Sequence, residues 1–277
     1  MNRLLQMSLA ALIMAAMCAS GAYATEDAAT TDTVASETPV EATGTSPDAA
    51  IAEEGMPLRI HLGIYSWLPG ITSTVKADGS ESTTEIDFGT IIDAMDFANF
   101  AHLELQRGKW GVLSELDFVK LSEDTEFRSP GRGLLFKTEA DLALKQTMAE
   151  LALLRSFDGK RVGFDAIAGA RYFRLESKVH VGPIRSNDST DWVDPMIGGR
   201  LRLRLSDKWQ ASLRADLAGF GAGSELSTNI VGTVGYNITD RHTLAFGYRY
   251  MDIDYEADDL EVSMTTYGPL IGMVIRF

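Results

Sequence analysis

The chain has 277 residues, with 39 acidic side chains against 25 basic ones and a formal net charge of −14. That balance gives no reason to expect nucleic acid as a partner, because such binding rests on an excess of Lys and Arg. A single cysteine rules out a disulfide framework, and composition then divides the chain into three zones.

The first zone, Met1 to Ala24, reads as a secretory signal. Arg3 supplies the positive start, "LLQMSLAALIMAAMCAS" the apolar stretch, and Ala22-Tyr23-Ala24 a small-x-small cleavage site. A transmembrane anchor fits less well, because the run is short and no positive flank follows it. Cys18 does not make a lipoprotein site: bulky Met17 precedes it and Ala15 stands where a leucine is usual. The exported chain is therefore expected to lack cysteine. From Thr25 to Pro57 runs "TEDAATTDTVASETPVEATGTSPDAAIAEEGMP", with eight acidic residues, no basic ones and no aromatics. Such a stretch cannot bury enough apolar surface to offset its ordering entropy, so a disordered acidic linker is expected.

Residues 58–277 are expected to form one folded domain. No run of 18 or more apolar residues follows the signal, so no helical span is expected. Ten strands are predicted, near 58–68, 98–107, 110–122, 135–156, 162–179, 193–206, 209–219, 225–238, 242–254 and 261–277. Four short turns recur, at Arg107-Gly108-Lys109, Asp158-Gly159-Lys160, Ser206-Asp207-Lys208 and Thr239-Asp240-Arg241. Their residues suit hairpin loops. Longer connections alternate with them, at about 69–97, 123–134, 180–192, 219–224 and 255–260. Strict alternation of short and long connections belongs to a transmembrane barrel, with short periplasmic turns and longer external loops. The fold expected is all-β, a transmembrane antiparallel up-and-down barrel of ten strands, with eight as the alternative count. A soluble periplasmic β-domain is the competing reading.

The strand faces agree. Ile197, Gly199, Leu201, Leu203 and Leu205 alternate with Gly198, Arg200, Arg202 and Arg204. Ala211, Leu213, Ala215 and Leu217 alternate with Gln210, Ser212, Arg214 and Asp216. One face suits lipid and the other a polar interior. Trp110, Trp209, Tyr236 and Phe277 lie beside the turns, while Trp67, Tyr172, Trp192, Tyr250 and Tyr255 lie near the loop ends. They are read as two interfacial belts. Pro269 falls inside the last strand, where a bulge or break is expected.

The last strand ends at Phe277, after Tyr267, Ile271, Met273 and Ile275 on one alternating set. It resembles the C-terminal signal of bacterial outer-membrane proteins, which the barrel assembly machinery reads. "DWVDPMIGGRLRLRLSDKWQASLRADLAGFGAGSE" and "GYRYMDIDY" resemble a widespread, poorly characterised family of Gram-negative outer-membrane β-barrel proteins over roughly Leu58 to Phe277. The resemblance implies fold and outer-membrane location and carries over no activity. The partners it implies are outer-membrane lipid, lipopolysaccharide, the assembly machinery and periplasmic chaperones.

The charges expected to point inward are Glu104, Glu115, Asp117, Glu150, Arg171, Arg200, Arg202, Arg204, Arg214, Asp216 and Arg249. They should pair, because an unpaired charge in a lumen is costly. They form either a salt-bridged plug or a narrow polar pore, whose row Arg200, Arg202 and Arg204 would favour anions. The segment "EIDFGTIIDAMDF" places Ile86, Ile91, Ile92 and Met95 near helical spacing, which predicts a short helix on the rim or entering the lumen. The glycines of "GFGAGS" fit a tight external turn. Asp252, Asp254, Asp258, Asp259 and Glu261 form an acidic external run, able to hold divalent cations or simply solvated. His102 shares a face with Glu104, a pairing expected of a satisfied interior histidine. His180 with Ser186, Asp188 and Asp191 is a weak nucleophile-base constellation. No cofactor or metal is expected. Two functions follow: a structural envelope barrel or narrow pore for small solutes, or an outer-membrane enzyme acting on lipid or peptide through external loops.

Overall fold

A computed structural model describes residues 56–77, 80–131, 134–181, 184–257 and 260–277. Its strands are β1 (Arg59–Trp67), β2 (Gly70–Ala77), β3 (Ser80–Ile86), β4 (Met95–Arg107), β5 (Trp110–Gly131), β6 (Leu134–Asp158) and β7 (Val162–Val181). They continue with β8 (Ile184–Arg204), β9 (Trp209–Gly219), β10 (Leu226–Asn237), β11 (His242–Ala257) and β12 (Leu260–Arg276). One helix, α1 (Phe88–Ala94), lies between β3 and β4. β1 and β4 to β12 pair in chain order, each antiparallel to the next, and the pairing of β1 with β12 closes the ring. The ten-stranded ring therefore closes without a free edge, as a sheet that spans lipid requires. No helix among the described residues is long and apolar enough to cross a membrane.

β2 is the outward continuation of β1. Trp67 pairs with Leu270, and Gly70 with Tyr267, so one register on β12 runs through both. The interruption at Leu68 and Pro69 lies opposite Gly268 and Pro269. A Cβ on Gly268 would fall 2.1 Å from the Leu68 carbonyl oxygen, so only glycine permits this approach. The expected break at Pro269 is thus in its neighbour: β12 runs unbroken, and the Pro269 carbonyl accepts from the Leu68 amide at 3.0 Å.

β2 and β3 form a hairpin beside the outer half of β12, and α1 returns the chain to β4. Asp87 caps the helix, accepting from the Thr90 amide at 3.1 Å. Ile91 is buried, while Phe88 and Ile92 face outward.

The long connections at 123–134, 180–192 and 255–260 were expected as loops. Instead the ladders continue through them: Glu123 to Gly131 pair with Leu134 to Leu142, and Ile184 to Trp192 pair with Phe173 to Val181. Polar sequence marks where a strand leaves lipid, but beyond that point backbone pairing still satisfies amide and carbonyl groups. The turn at 219–224 remains irregular, with positive φ at Gly219, Phe220 and Gly221.

The outer surface is apolar. Leu151, Leu153, Ile197, Leu213, Leu217, Phe246 and Ile271 are exposed on it, and Trp110, Trp209 and Phe277 lie exposed at the short-turn end. At the other end the expected belt is corrected. Trp67, Trp192 and Tyr255 point inward and are buried, leaving Tyr250 exposed and Tyr172 partly so. Strand parity decides this, since Trp192 lies on the same face as the buried Asp194 and Met196.

Candidate functional site in the lumen

The lumen is built in three layers. The outermost is apolar. Met148, Phe173, Leu175, Trp192, Met251, Ile253, Tyr255, Val262 and Met264 pack together, and Trp67, Phe100 and Leu270 form an adjoining cluster. Phe173 stacks on Trp192 at 5.2 Å between ring centres, and Trp192 meets Tyr255 at 5.4 Å. Ile91 reaches this layer from α1 and lines, with Trp67, Phe100 and Met148, a void of only 30 Å³. That is room for about two waters.

Beneath it lies an ionic layer. Arg171 donates from Nε to Glu150 at 2.7 Å and from Nη2 to Asp216 at 2.5 Å. Arg214 donates to Glu150 at 2.6 Å and to Glu115 at 3.2 Å, and its Nε lies 2.8 Å from Asp216. Arg249 donates to Glu115 at 3.0 Å, to Asp117 at 2.8 Å and to Asn229 at 2.9 Å. The Tyr65 hydroxyl lies 2.5 Å from Glu115 and 2.8 Å from Asp117. These side chains come from β1, β5, β6, β7, β9, β10 and β11, so the network spans the lumen. Gly198 leaves room for it, since a Cβ there would fall 2.4 Å from the Asp216 Cβ. The layers are joined by Arg249, whose guanidinium sits 4.9 Å from the Trp67 ring centre.

Below the ionic layer the lumen opens into a vestibule of 720 Å³ toward the short-turn end. Arg200 donates to Glu104 and Asp165, each at 2.7 Å. Arg202 donates to Asp165 at 2.7 Å and to Asp158 at 2.7 Å. His102 stands 3.8 Å from Glu104, and His61 stands 3.9 Å from the same carboxylate. Arg276 is held instead by neutral groups, Gln210 at 3.3 Å, Asn237 at 2.9 Å and Thr243 at 2.6 Å. Arg59, Lys160, Arg161 and Arg204 complete the rim.

Of the residues expected to point inward, the structure brings Glu115, Asp117, Glu150, Arg171, Arg214, Asp216 and Arg249 into the ionic layer. It puts Glu104, Arg200 and Arg202 in the vestibule wall, and Arg204 at its exposed mouth. Asp165, Tyr65 and Asn229 were missed. Asp165 accepts once from Arg200, twice from Arg202 and once from the Ser156 hydroxyl and is fully buried, and its parity with Ile167 and Arg171 is the available signal. Ile271 and Phe277 face outward and Tyr267, Met273 and Ile275 are partly exposed. At the external end Asp194 accepts from Trp192 Nε1 at 3.1 Å and from the Ser224 amide and hydroxyl at 2.8 and 2.7 Å. Asp252 and Asp254 accept from Thr265 and Ser263, each at 2.5 Å, and Lys76 pairs with Glu261 at 3.1 Å. Asp258 and Asp259 lie outside the described residues, as do the side chains of Ser186 and Asp188. His180 stands opposite Arg185 in the ladder, and Asp191 opposite Arg174.

No known family and no curated protein matches this sequence. Solved structures do match in shape. The outer membrane protease OmpT from Escherichia coli shares 10% identity, covering 80% of this chain and 98% of that one, with a TM-score of 0.51. The fold is that of an outer-membrane β-barrel. The translocator domain of the autotransporter NalP from Neisseria meningitidis aligns at 12% identity over 83% of this chain and 92% of its own, with a TM-score of 0.37. The outer membrane protein OprG from Pseudomonas aeruginosa aligns at 16% identity over 79% and 95%, with a TM-score of 0.31. Such identities carry the fold alone. The barrel lies in the outer membrane of a Gram-negative bacterium, its apolar surface against lipid. The short turns and both ends of the barrel domain face the periplasm, so the vestibule opens to the periplasm and the apolar layer lies toward the outside.

Proposed function

We propose that the barrel is a non-conducting structural component of the envelope, closed across its lumen and open only to the periplasm. The observation that carries this reading is the ionic layer. Three guanidiniums and four carboxylates from opposite walls bind one another directly, under an apolar layer with space for about two waters. An ion crossing this region would have to break buried charge pairs in a low-dielectric setting. The arginine row does not favour an anion pore. Arg200 and Arg202 are already neutralised by Glu104, Asp165 and Asp158. Interfacial lipid and lipopolysaccharide contact the outer wall, and the last strand, with Phe277 exposed at its end, is offered to the assembly machinery. The test is planar-bilayer recording of the refolded chain, with folding verified by a heat-shift gel. A silent bilayer supports the reading. Discrete conductance steps from the folded protein would overturn it.

A further inference from the structure

We infer that the periplasmic vestibule is a carboxylate-binding site, and that its occupant is the chain's own acidic stretch, residues 25–55. The proposal builds on the reading of a lumen closed above the vestibule. Three observations carry it. The first is unspent positive charge. Arg59, Lys160, Arg161, Arg204 and Arg276 line the vestibule, and none has a carboxylate partner among the described residues. The carboxylates in the same wall are engaged elsewhere: Glu104 with Arg200, Asp158 with Arg202, and Glu115 with Arg214 and Arg249. Arg276 is preorganised, because Gln210, Asn237 and Thr243 fix its guanidinium without neutralising it.

The second observation is space. The vestibule holds 720 Å³, enough for several extended residues, and is open at the periplasmic end. The third is the tether. The acidic stretch joins β1 at the rim, where Arg107 Nε donates to the Met56 carbonyl at 3.3 Å. Glu53 and Glu54 lie three and two residues before Met56, within about 10 Å of chain. A segment attached this closely experiences millimolar effective concentrations, so weak charge-assisted hydrogen bonds suffice to hold it. The stretch carries Glu26, Asp27, Asp32, Glu37, Glu41, Asp48, Glu53 and Glu54, with no Lys or Arg to compete for them. Its charge and that of the rim are complementary.

The test uses the full chain with a reporter thiol inside the vestibule. Thr233 lines the cavity and stands opposite Ser212 and Gly247 in the ladders. Thr233→Cys, in a Cys18→Ser background, gives a single thiol in the refolded barrel. A neutral maleimide of about 2 kDa reports occlusion without responding to local potential. The comparison variant replaces all eight acidic residues of the stretch by their amides and leaves the barrel untouched. At low salt the parent is expected to label about tenfold more slowly than the amide variant. At 1 M salt, where charge pairs are screened within a few ångströms, the two rates should converge. Arg204→Gln with Arg276→Gln should bring the parent close to the amide variant at low salt. Equal labelling of parent and amide variant at low salt would overturn the proposal. Bilayer conductance is read separately on the same preparations. A conducting barrel with normal protection would remove the closed-lumen reading and keep the docked stretch, so the two failures are distinguishable.

Discussion

Glu150 on β6 and Arg171 on β7 stand directly opposite one another in the ladder, and their side chains meet at 2.6 Å with neither exposed to solvent. The same Arg171 reaches Asp216 on β9, so one guanidinium ties three strands together through the lumen. Replacing it by methionine would leave two carboxylates short of a partner in a dry layer. Removing one member of such a pair costs about 3–5 kcal/mol. Arg171→Met should therefore lower the denaturant midpoint by a corresponding amount, measured by heat-shift gel across a urea series. Arg171→Met combined with Glu150→Gln should lose less than the two single changes added, because the second removes the stranded charge. An unchanged midpoint in Arg171→Met would show that the layer is not holding the walls together.

The helix α1 makes a separate prediction. Ile91 is 2% exposed and inserts into the apolar layer, while its neighbour Ile92 points out. Ile91→Ala should cost about 2–5 kcal/mol of local stability, the ordinary loss for a buried aliphatic side chain. The ring of strands does not depend on α1, so the loss should appear as cleavage between residues 78 and 95 under limited proteolysis, with the heat-shifted barrel retained. Ile92→Ala should leave the cleavage rate unchanged. Equal sensitivity of the two variants would mean that the helix is not anchored through Ile91.

Much of this was legible beforehand, and the limits have physical causes. Alternation in "RLRLR" placed Arg200 and Arg202 inside and Leu201 and Leu203 outside, because the side-chain period of a strand is two. The four short turns carried the topology, since few residue types close a tight hairpin. The position of Trp67, Trp192 and Tyr255 at the strand ends suggests an interface, where an aromatic suits. Their parity placed them inward, and the ten-stranded lumen had apolar volume to fill. β2 and β3 leave no strand signal in the sequence, because "GITSTVKA" and "SESTTEI" are rich in Ser and Thr on both faces. A strand outside the bilayer needs no apolar face, so the pattern was silent. The unpaired rim arginines could not be told from the paired ones, because Asp165 and Asp158 reach their partners across strands.

At the external end Asp194 accepts three hydrogen bonds, from the Ser224 amide, the Ser224 hydroxyl and Trp192 Nε1. They hold the turn in which Gly219, Phe220 and Gly221 adopt positive φ. Asp194→Ala would strand these donors, and each buried unsatisfied group costs about 1–3 kcal/mol. The turn at 220–223 should become a protease site, and the Trp192 fluorescence should shift as the indole loses its acceptor. Asp194→Asn keeps acceptor capacity on one oxygen and should recover part of the protection. A turn as resistant in Asp194→Ala as in the parent would assign its order to backbone bonds alone.

The last prediction concerns Phe277. Its amide donates to the Ile60 carbonyl at 2.9 Å, and its carbonyl accepts from the Ile60 amide at 3.4 Å, so the terminal backbone helps to close the ring. Its side chain is 67% exposed and contributes little packing within the barrel. Phe277→Ala keeps both backbone bonds and should change the stability of the refolded barrel by less than about 1 kcal/mol, as for a surface substitution away from buried features. In cells the same change should cut the amount reaching the outer membrane several-fold, with the remainder degraded or held in the periplasm. Deleting the residue outright removes the bonds as well and should lower both assembly and stability. A stability loss in Phe277→Ala equal to its assembly loss would make the ring a packing partner rather than a recognition group. Normal assembly would remove its role altogether.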